Sequence, residues 1–265
     1  VGAREWSDEA VAQAFVDWFW VPDGSETWEV PGARVVRFPA YVARRMHATL
    51  HLTGTDDPAP GDLLDAVLER TRAAGEREVR LHVAERPAHE DLLAALLERG
   101  HVEETLAQLA FTGTPPPVAS GAPEVRPVLN ERDARGLDRV DVAVFDEKPA
   151  DDARVTDLVA DCRAQWDART DARFVAWRGD EPLGSGGMSR AGDVLRLWGG
   201  ATMPAARRQG VYAAVLRTRL ATGWDWGTTL AIVRGRVETS APLLEGTGFT
   251  TVGRQLAVVV PVPGT

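Results

Sequence analysis

The sequence predicts an α/β protein made of two tandem domains, each a mixed central sheet flanked by helices. Three observations predict it. Apolar residues recur at helical spacing in some segments and alternate in others, with glycine between them. A proline- and glycine-rich seam, residues 113–123, divides the chain near its middle. The two sides of the seam repeat the order helix, strand, helix, glycine, strand over nearly equal lengths, which suggests a duplicated fold.

In the first half, Leu63, Leu64, Val67 and Leu68 predict a helix over residues 62–74, closed by Gly75. Residues 78–84 alternate as a strand, with Val79, Leu81 and Val83 on one face. Leu92, Leu93, Leu96 and Leu97 mark a second helix ending at Gly100, and a strand follows over 106–111. In the second half, residues 124–128 read as a first strand. A helix over 211–221, a strand over 229–233, a short helix over 240–245 ending near Gly248-Phe249 and a strand over 255–260 complete it. Gly61 to Gly100 spans 39 positions and Gly210 to Gly248 spans 38, so the two halves match in pace as well as order. The expected division is a domain over 1–113, a linker over 114–123 and a domain over 124–265.

Composition narrows the function. With 265 residues, 44% apolar and 26% charged, the chain is ordinary globular material and long enough for two cores. No stretch approaches the ~20 apolar residues of a membrane span. Residues 1–6 turn acidic and polar at once and show no signal-peptide pattern. Cys162 is the only cysteine, which rules out an internal disulfide and a cysteine-only metal site. A cytoplasmic setting is expected. The formal charge of −9 argues against a nucleic-acid partner. It favours cationic small molecules such as amines, although solubility alone also accounts for it. The five histidines, His47, His51, His82, His89 and His101, show no metal motif, so no metal is expected.

The segment that carries chemistry runs from Val194 to Tyr212: a strand, a break at Pro204, a basic loop with Gly210, then a helix. A helix start offers unpaired N–H groups and the positive end of the dipole, and so holds anions. Gly210 lets backbone approach a phosphate without a Cβ in the way, and Arg207 and Arg208 add charge. The other reading is a plain strand-to-helix connection with solvated arginines.

The surrounding order settles between these by resemblance. Strand, Pro204, Arg207, Gly210, helix, strand, helix and Gly248-Phe249 resemble the GCN5-related N-acetyltransferase (GNAT) family over most of residues 124–260. Its pyrophosphate loop, Gln/Arg-x-x-Gly-x-Gly/Ala, is matched by Arg207-Arg208-Gln209-Gly210-Val211-Tyr212, with Tyr212 where the family has a small residue. Its Leu-Gly-Phe-like triplet is matched by Thr247-Gly248-Phe249. The resemblance implies acetyl-CoA, or another acyl-CoA, as co-substrate and an acyl transfer to an amine. It implies that the backbone of Gly200, Ala201 and Thr202 holds the pantetheine arm. The amides of Arg208, Gln209, Gly210, Val211, Tyr212 and Ala213 would cradle the pyrophosphate. The first half looks like a degenerate copy: its equivalent loop, residues 56–61, has two acids and no arginine, so an anion is repelled there.

The family's catalytic pair does not carry over. Its glutamate belongs on the strand over 194–200, which has no carboxylate, and Leu244 stands where its tyrosine belongs. Substitutes are Glu238, otherwise a helix-start acid favoured by the dipole; Ser240, otherwise a helix cap; and Tyr212, otherwise a packing residue. Arg234 and Arg236 read as a solvated turn or as contacts to phosphate or acceptor. Resemblance places the acceptor near residues 140–166, including the acidic stretch around Asp146, Glu147, Asp151 and Asp152. Gly184-Ser185-Gly186-Gly187 lacks the spacing of a hydrolase nucleophile turn. Trp18 and Trp20 are either core or candidates to line a cleft between the halves. The competing class is a non-catalytic CoA-binding protein on the same fold.

Overall fold

The computed structural model describes residues 5–21, 24–39, 46–50 and 57–263, Thr49 without its side chain. Pro22, Asp23, His51 and Asp56 lie outside the described residues. In the first half these form α1 (Asp8–Val16), β1 (Glu26–Val30), β2 (Ala33–Arg37), β3 (Met46–Leu50), α2 (Pro60–Ala73), β4 (Glu78–Ala84), α3 (Glu90–Arg99) and β5 (His101–Phe111). After residues 112–123, which hold no helix or strand, come β6 (Glu124–Pro127), α4 (Glu131–Phe145), α5 (Asp152–Ala168), β7 (Asp171–Arg178), β8 (Glu181–Ala191) and β9 (Val194–Thr202). The chain continues with α6 (Val211–Asp225), β10 (Leu230–Arg236), α7 (Ser240–Glu245) and β11 (Thr250–Pro261).

The chain divides into two compact units that are interleaved in sequence. One comprises residues 8–109 with 235–245 and everything from Thr250; the other comprises residues 110–234 with 246–249 and the first seven residues. The sequence boundary was drawn in one cut, whereas β11 belongs with the first half. It pairs antiparallel with β4, from Gln255 opposite Ala84 to Pro261 opposite Glu78.

In the first-half unit the strand order is β1-β2-β3-β4-β11-β5, with β3 and β4 parallel and α2 between them in sequence. Alternation on β4 turns Val79, Leu81 and Val83 onto α2 and α3, and all three are fully buried with Leu64, Val67 and Leu96. Pro60 stands in the first turn of α2, where its missing N–H costs nothing. Thr71 donates its hydroxyl to the Val67 carbonyl at 2.8 Å and so sits buried within that helix. Val258 and Val260 of β11 complete this core. Phe38 stacks on His47 at 4.2 Å, while the exposed Trp20 ring meets Phe38 edge-on at 5.4 Å.

The second-half unit has the order β10-β9-β8-β7-β6, with β9 and β10 parallel and every other pair antiparallel. Alternate residues face opposite ways. Val175 and Trp177 of β7 pack with Leu137 of α4 and Val155 of α5, while Ala176 and Leu183 pack with Val211 and Val215 of α6. The sheet therefore carries α4 and α5 on one face and α6 on the other. Local chemistry fixes the helix starts. Asn130 accepts from the Asp133 amide at 3.0 Å and donates its own amide to the Asp133 carboxylate at 2.6 Å. Asp151 caps α5 by accepting from the Arg154 amide at 2.8 Å.

Gly136 shows how closely α4 is seated. A Cβ at this position would lie 2.4 Å from the Trp177 indole, itself 2% exposed. Gly136→Ala should lower the unfolding free energy by roughly 1–2 kcal/mol, because overpacking outweighs the gain in helix propensity. The shift in denaturant midpoint at unchanged slope measures it.

Candidate functional site

The site is built where β9 parts from β10. Their parallel register runs from Val194 opposite Leu230 to Leu197 opposite Val233. Beyond Leu197, β9 runs on to Thr202 against β8, and it does so through a bulge. Ser185 faces Ala201 but Gly187 faces Trp198, so β9 carries one residue more than β8 over this stretch. The extra residue is accommodated at Gly199, whose φ of +61° favours glycine.

A buried cation holds the bulge from the α6 side. The Arg219 guanidinium, 2% exposed, donates through Nη1 to the carbonyls of Gly187 at 3.0 Å and Trp198 at 3.2 Å. Burial draws its pKa down, and the Tyr212 hydroxyl is the group that acts against that. The small residues 184–187 exist for this packing. A Cβ on Gly186 would lie 2.8 Å from Arg219 Cζ, one on Gly187 2.3 Å from the Trp198 ring, and one on Gly184 2.5 Å from the Ala201 carbonyl. A lone arginine inside a predicted helix gave no sign of this role. The glycines opposite it were the available signal, since three in four strand residues need a close neighbour to explain them.

The loop follows directly. Residues Pro204–Ala206 make a single tight turn, and Arg208 and Gly210 then take left-handed φ values of +63° and +77°. Positive φ at Arg208 is unusual for a residue with a Cβ. Left-handed residues in a turn are one ingredient of the backbone concavities that bind anions. Gly210 opens α6 with no side-chain cap, and a Cβ there would meet nothing within 4 Å. Ala214 is the first amide to bond back, to the Gly210 carbonyl at 3.0 Å. The Val211, Tyr212 and Ala213 amides ahead of it are without an acceptor among the described residues. Gln209 serves the loop itself: it donates to the Ala205 carbonyl and accepts from Arg178, each at 2.8 Å. Arg207 and Arg208 are exposed.

The expected residues therefore fall into two groups. Gly200, Ala201, Thr202, the loop from Arg207 to Ala213 and Tyr212 lie together in one unit. The Tyr212 ring packs on Gly200, where a Cβ would be 3.2 Å from it, and burial pushes the hydroxyl pKa up. Thr202 adds a buried hydroxyl that has no hydrogen-bond partner among the described residues. Glu238 and Ser240 belong to the other unit. Glu238 is exposed, and the Ser240 hydroxyl accepts from the Arg236 amide at 2.8 Å, so it secures a turn and does not cap the helix it starts. Arg236 pairs with Glu104 at 2.7 Å. Arg234 is not part of a solvated turn: it lies within β10, with burial first and the like charge of Arg196 second pulling its pKa down to about 10. Thr247-Gly248-Phe249 places Gly248 at φ +98° and buries Phe249 on Phe111 at 5.3 Å.

On the opposite face, Asp141 of α4 points at β8, where Ser185 donates its hydroxyl to the carboxylate at 3.4 Å. Burial is the main reason that its pKa rises to about 7; Glu147 and Asp138 add to the rise, while Arg173 and Ser185 oppose it. Arg173 stands over the Trp198 ring at 5.5 Å on the same face. β9 itself holds no carboxylate, and this one stands on the helix across from it, which no motif marks. The acidic stretch after α4 is partly structural: Asp151 caps α5 and Asp152 pairs with Arg135 at 2.7 Å. Among the described residues no three acidic, histidine or cysteine side chains are grouped to hold a metal, and no helix is long and apolar enough to cross a membrane.

No family model and no curated protein matches the sequence. Solved structures do match its fold. A GCN5-related N-acetyltransferase from Kribbella flavida superposes with a TM-score of 0.62 at 15% identity, over 97% of this chain and 95% of that one. Another from Sphaerobacter thermophilus gives 0.61 at 15%, over 96% and 86%. A tandem GNAT protein from the clavulanic acid biosynthesis pathway gives 0.63 at 11%, over 97% and 88%. The chain therefore has the α/β fold of these acetyltransferases.

Gly186→Val should unseat the Arg219 guanidinium and lower the unfolding free energy by roughly 2–4 kcal/mol. Chemical denaturation reads this directly, with Gly61→Val as the control, since a Cβ at Gly61 meets nothing within 4 Å and its φ is not left-handed.

Proposed function

We propose that this protein is an acyl-CoA-dependent N-acyltransferase, with acetyl as its acyl group, that acts on a small-molecule amine in a ternary complex. The observation that carries the reading is the start of α6. Arg208 and Gly210 with positive φ, three first-turn amides without acceptors and two exposed arginines together make a cradle for a pyrophosphate. The fit extends beyond the phosphates. The edge of β9 from Gly199 to Thr202, freed where its register with β10 ends, suits an amide-bearing arm that pairs as a strand would. Acetyl-CoA supplies an activated acyl group as a thioester when bound. On this reading Gly200, Ala201 and Thr202 hold the arm, and Arg207, Arg208, Gln209, Gly210, Val211, Tyr212 and Ala213 form the phosphate end.

Among the candidates for catalysis, Tyr212 stands against the β9 bulge with its phenol kept protonated by burial, in a position to give a proton to a departing sulfur. Ser240 is engaged in its turn, which leaves Glu238 the weaker candidate of the remaining two. Both halves contain a parallel strand–helix–strand unit, β3-α2-β4 and β9-α6-β10, which supports the reading of a tandem, duplicated fold. The first-half copy has Pro60 and Asp62 in the first turn of α2, where the second has a basic loop and free amides. It is the degenerate partner and holds no cofactor. A cytoplasmic enzyme without metal, membrane or nucleic-acid partners fits the single cysteine and the charge of −9.

Calorimetric titration tests the reading. Acetyl-CoA should bind saturably below ~1 mM, tighter than about −4 kcal/mol, and the folded Arg208→Glu, Gly210→Glu double variant should not bind at that concentration. Equal binding by both proteins, or none by either, contradicts the assignment. Binding without thiol release in the presence of any amine would leave a non-catalytic acyl-CoA-binding protein.

A further inference from the structure

The geometry points to Asp141 as the general base for the acceptor and as the anion that draws it in, which makes that acceptor a primary amine arriving as its ammonium ion. This inference rests on the acyl-CoA reading of the α6 loop. Its own basis lies on the other face of the sheet. Asp141 reaches β8 from the middle of α4 and takes the Ser185 hydroxyl at 3.4 Å. Ser185 is paired across the strands with Ala201, at the point where β9 bulges and its edge is free. One carboxylate is therefore set a single strand away from the backbone that the arm of the acyl donor would follow, and on the face away from the phosphate cradle.

The ties between that carboxylate and the rest of the fold are few. It makes no ion pair among the described residues, and Ser185 is its one hydrogen-bond donor there. A half-buried acid kept without an ion pair is costly to the fold and is a candidate for chemistry. Its surroundings are defined from each element packed on α4. Glu147 and Asp138 act on it from the loop after α4 and from α4 itself, Arg173 from β7 and Ser185 from β8. On β9 the same face presents Arg196 and Trp198, and none of the charges that act on the carboxyl comes from α5. The balance, with burial dominant, poises the group near pH 7, where a base for an amine is most effective.

The step balances as follows. The acceptor R–NH3+ gives one proton to Asp141, and the freed nitrogen forms the C–N bond to the acyl carbon as the C–S bond breaks. The second N–H proton passes to the departing sulfur, and Asp141 returns its proton to solvent.

The test compares wild type, Asp141→Asn, Ser185→Ala and the Arg208→Glu, Gly210→Glu variant. Each is titrated with acetyl-CoA by calorimetry, and thiol release is followed from pH 5.5 to 9 with linear polyamines, amino sugars and arylalkylamines. Expected is unchanged acetyl-CoA binding by Asp141→Asn, with thiol release down about 100-fold or more. Wild-type kcat/KM should rise with pH through about 7, and that limb should vanish in Asp141→Asn. In Ser185→Ala it should move to higher pH, because the hydrogen bond that favours the charged form is gone. An Asp141→Asn protein that keeps wild-type rates and the same pH profile overturns the inference. So does wild-type binding of acetyl-CoA with no thiol release on any of these amines, an outcome that leaves the loop assignment standing. Loss of acetyl-CoA binding in wild type itself overturns the loop assignment and this inference together.

Discussion

One buried guanidinium organises the second-half unit. Arg219 reaches from α6 into the sheet and bridges the carbonyls of Gly187 and Trp198, which are paired across neighbouring strands at the edge of a bulge. Strand carbonyls at a bulge lose their regular partners, and the two hydrogens of one guanidinium nitrogen, Nη1, restore them. A guanidinium so far from water is tolerable only with such bonds. Much else follows from seating it. Gly186 has no side chain because the guanidinium occupies that space, and Gly187 has none because the Trp198 ring lies against it. Tyr212, about two turns earlier on α6, is left to cover Gly200. The same contact joins α6 to β9 and so sets where the free amides at the start of the helix stand relative to the free strand edge.

The elements themselves were legible wherever punctuation was local. Gly75, Gly100 and Gly210 each lie at a predicted helix boundary, and the strand over Glu78–Ala84 follows residue for residue from its alternation. The loop was legible through its place in the chain: an arginine pair, a glycine and a helix start also suit a plain strand-to-helix connection, and the order of elements around them carried the anion-binding expectation. Pairing between distant segments was not. β11 reads as the last strand of the second half, yet it completes the sheet beside β4; its valines suit either core, and periodicity does not say which. Arg219 and Asp141 were missed for a related reason. Each is one charged residue on a helix, and only the facing strand shows that Arg219 is buried and that Asp141 makes no ion pair among the described residues. Ser240 was misread because its sequence position fits a cap, while its hydroxyl is spent on the Arg236 amide.

The two faces of β9 differ in charge. On the α6 side lie free amides, the helix dipole and two exposed arginines, an environment for phosphate. On the α4 side a carboxylate sits beside Ser185, with Arg173 over Trp198 as its opposing charge. A donor bearing negative charge and an acceptor bearing positive charge would then approach one strand edge from opposite sides, each excluded from the other's place.

The central claim is that the start of α6 and the free edge of β9 form one acyl-CoA site. Backbone amide exchange resolved residue by residue, with and without saturating acetyl-CoA, tests it most directly. The account predicts slowed exchange at Gly199–Thr202 and at Arg208–Ala213 together, with the 60–62 segment of α2 unchanged. Protection at α2 with none at Arg208–Ala213, or no protection in either segment, would contradict it.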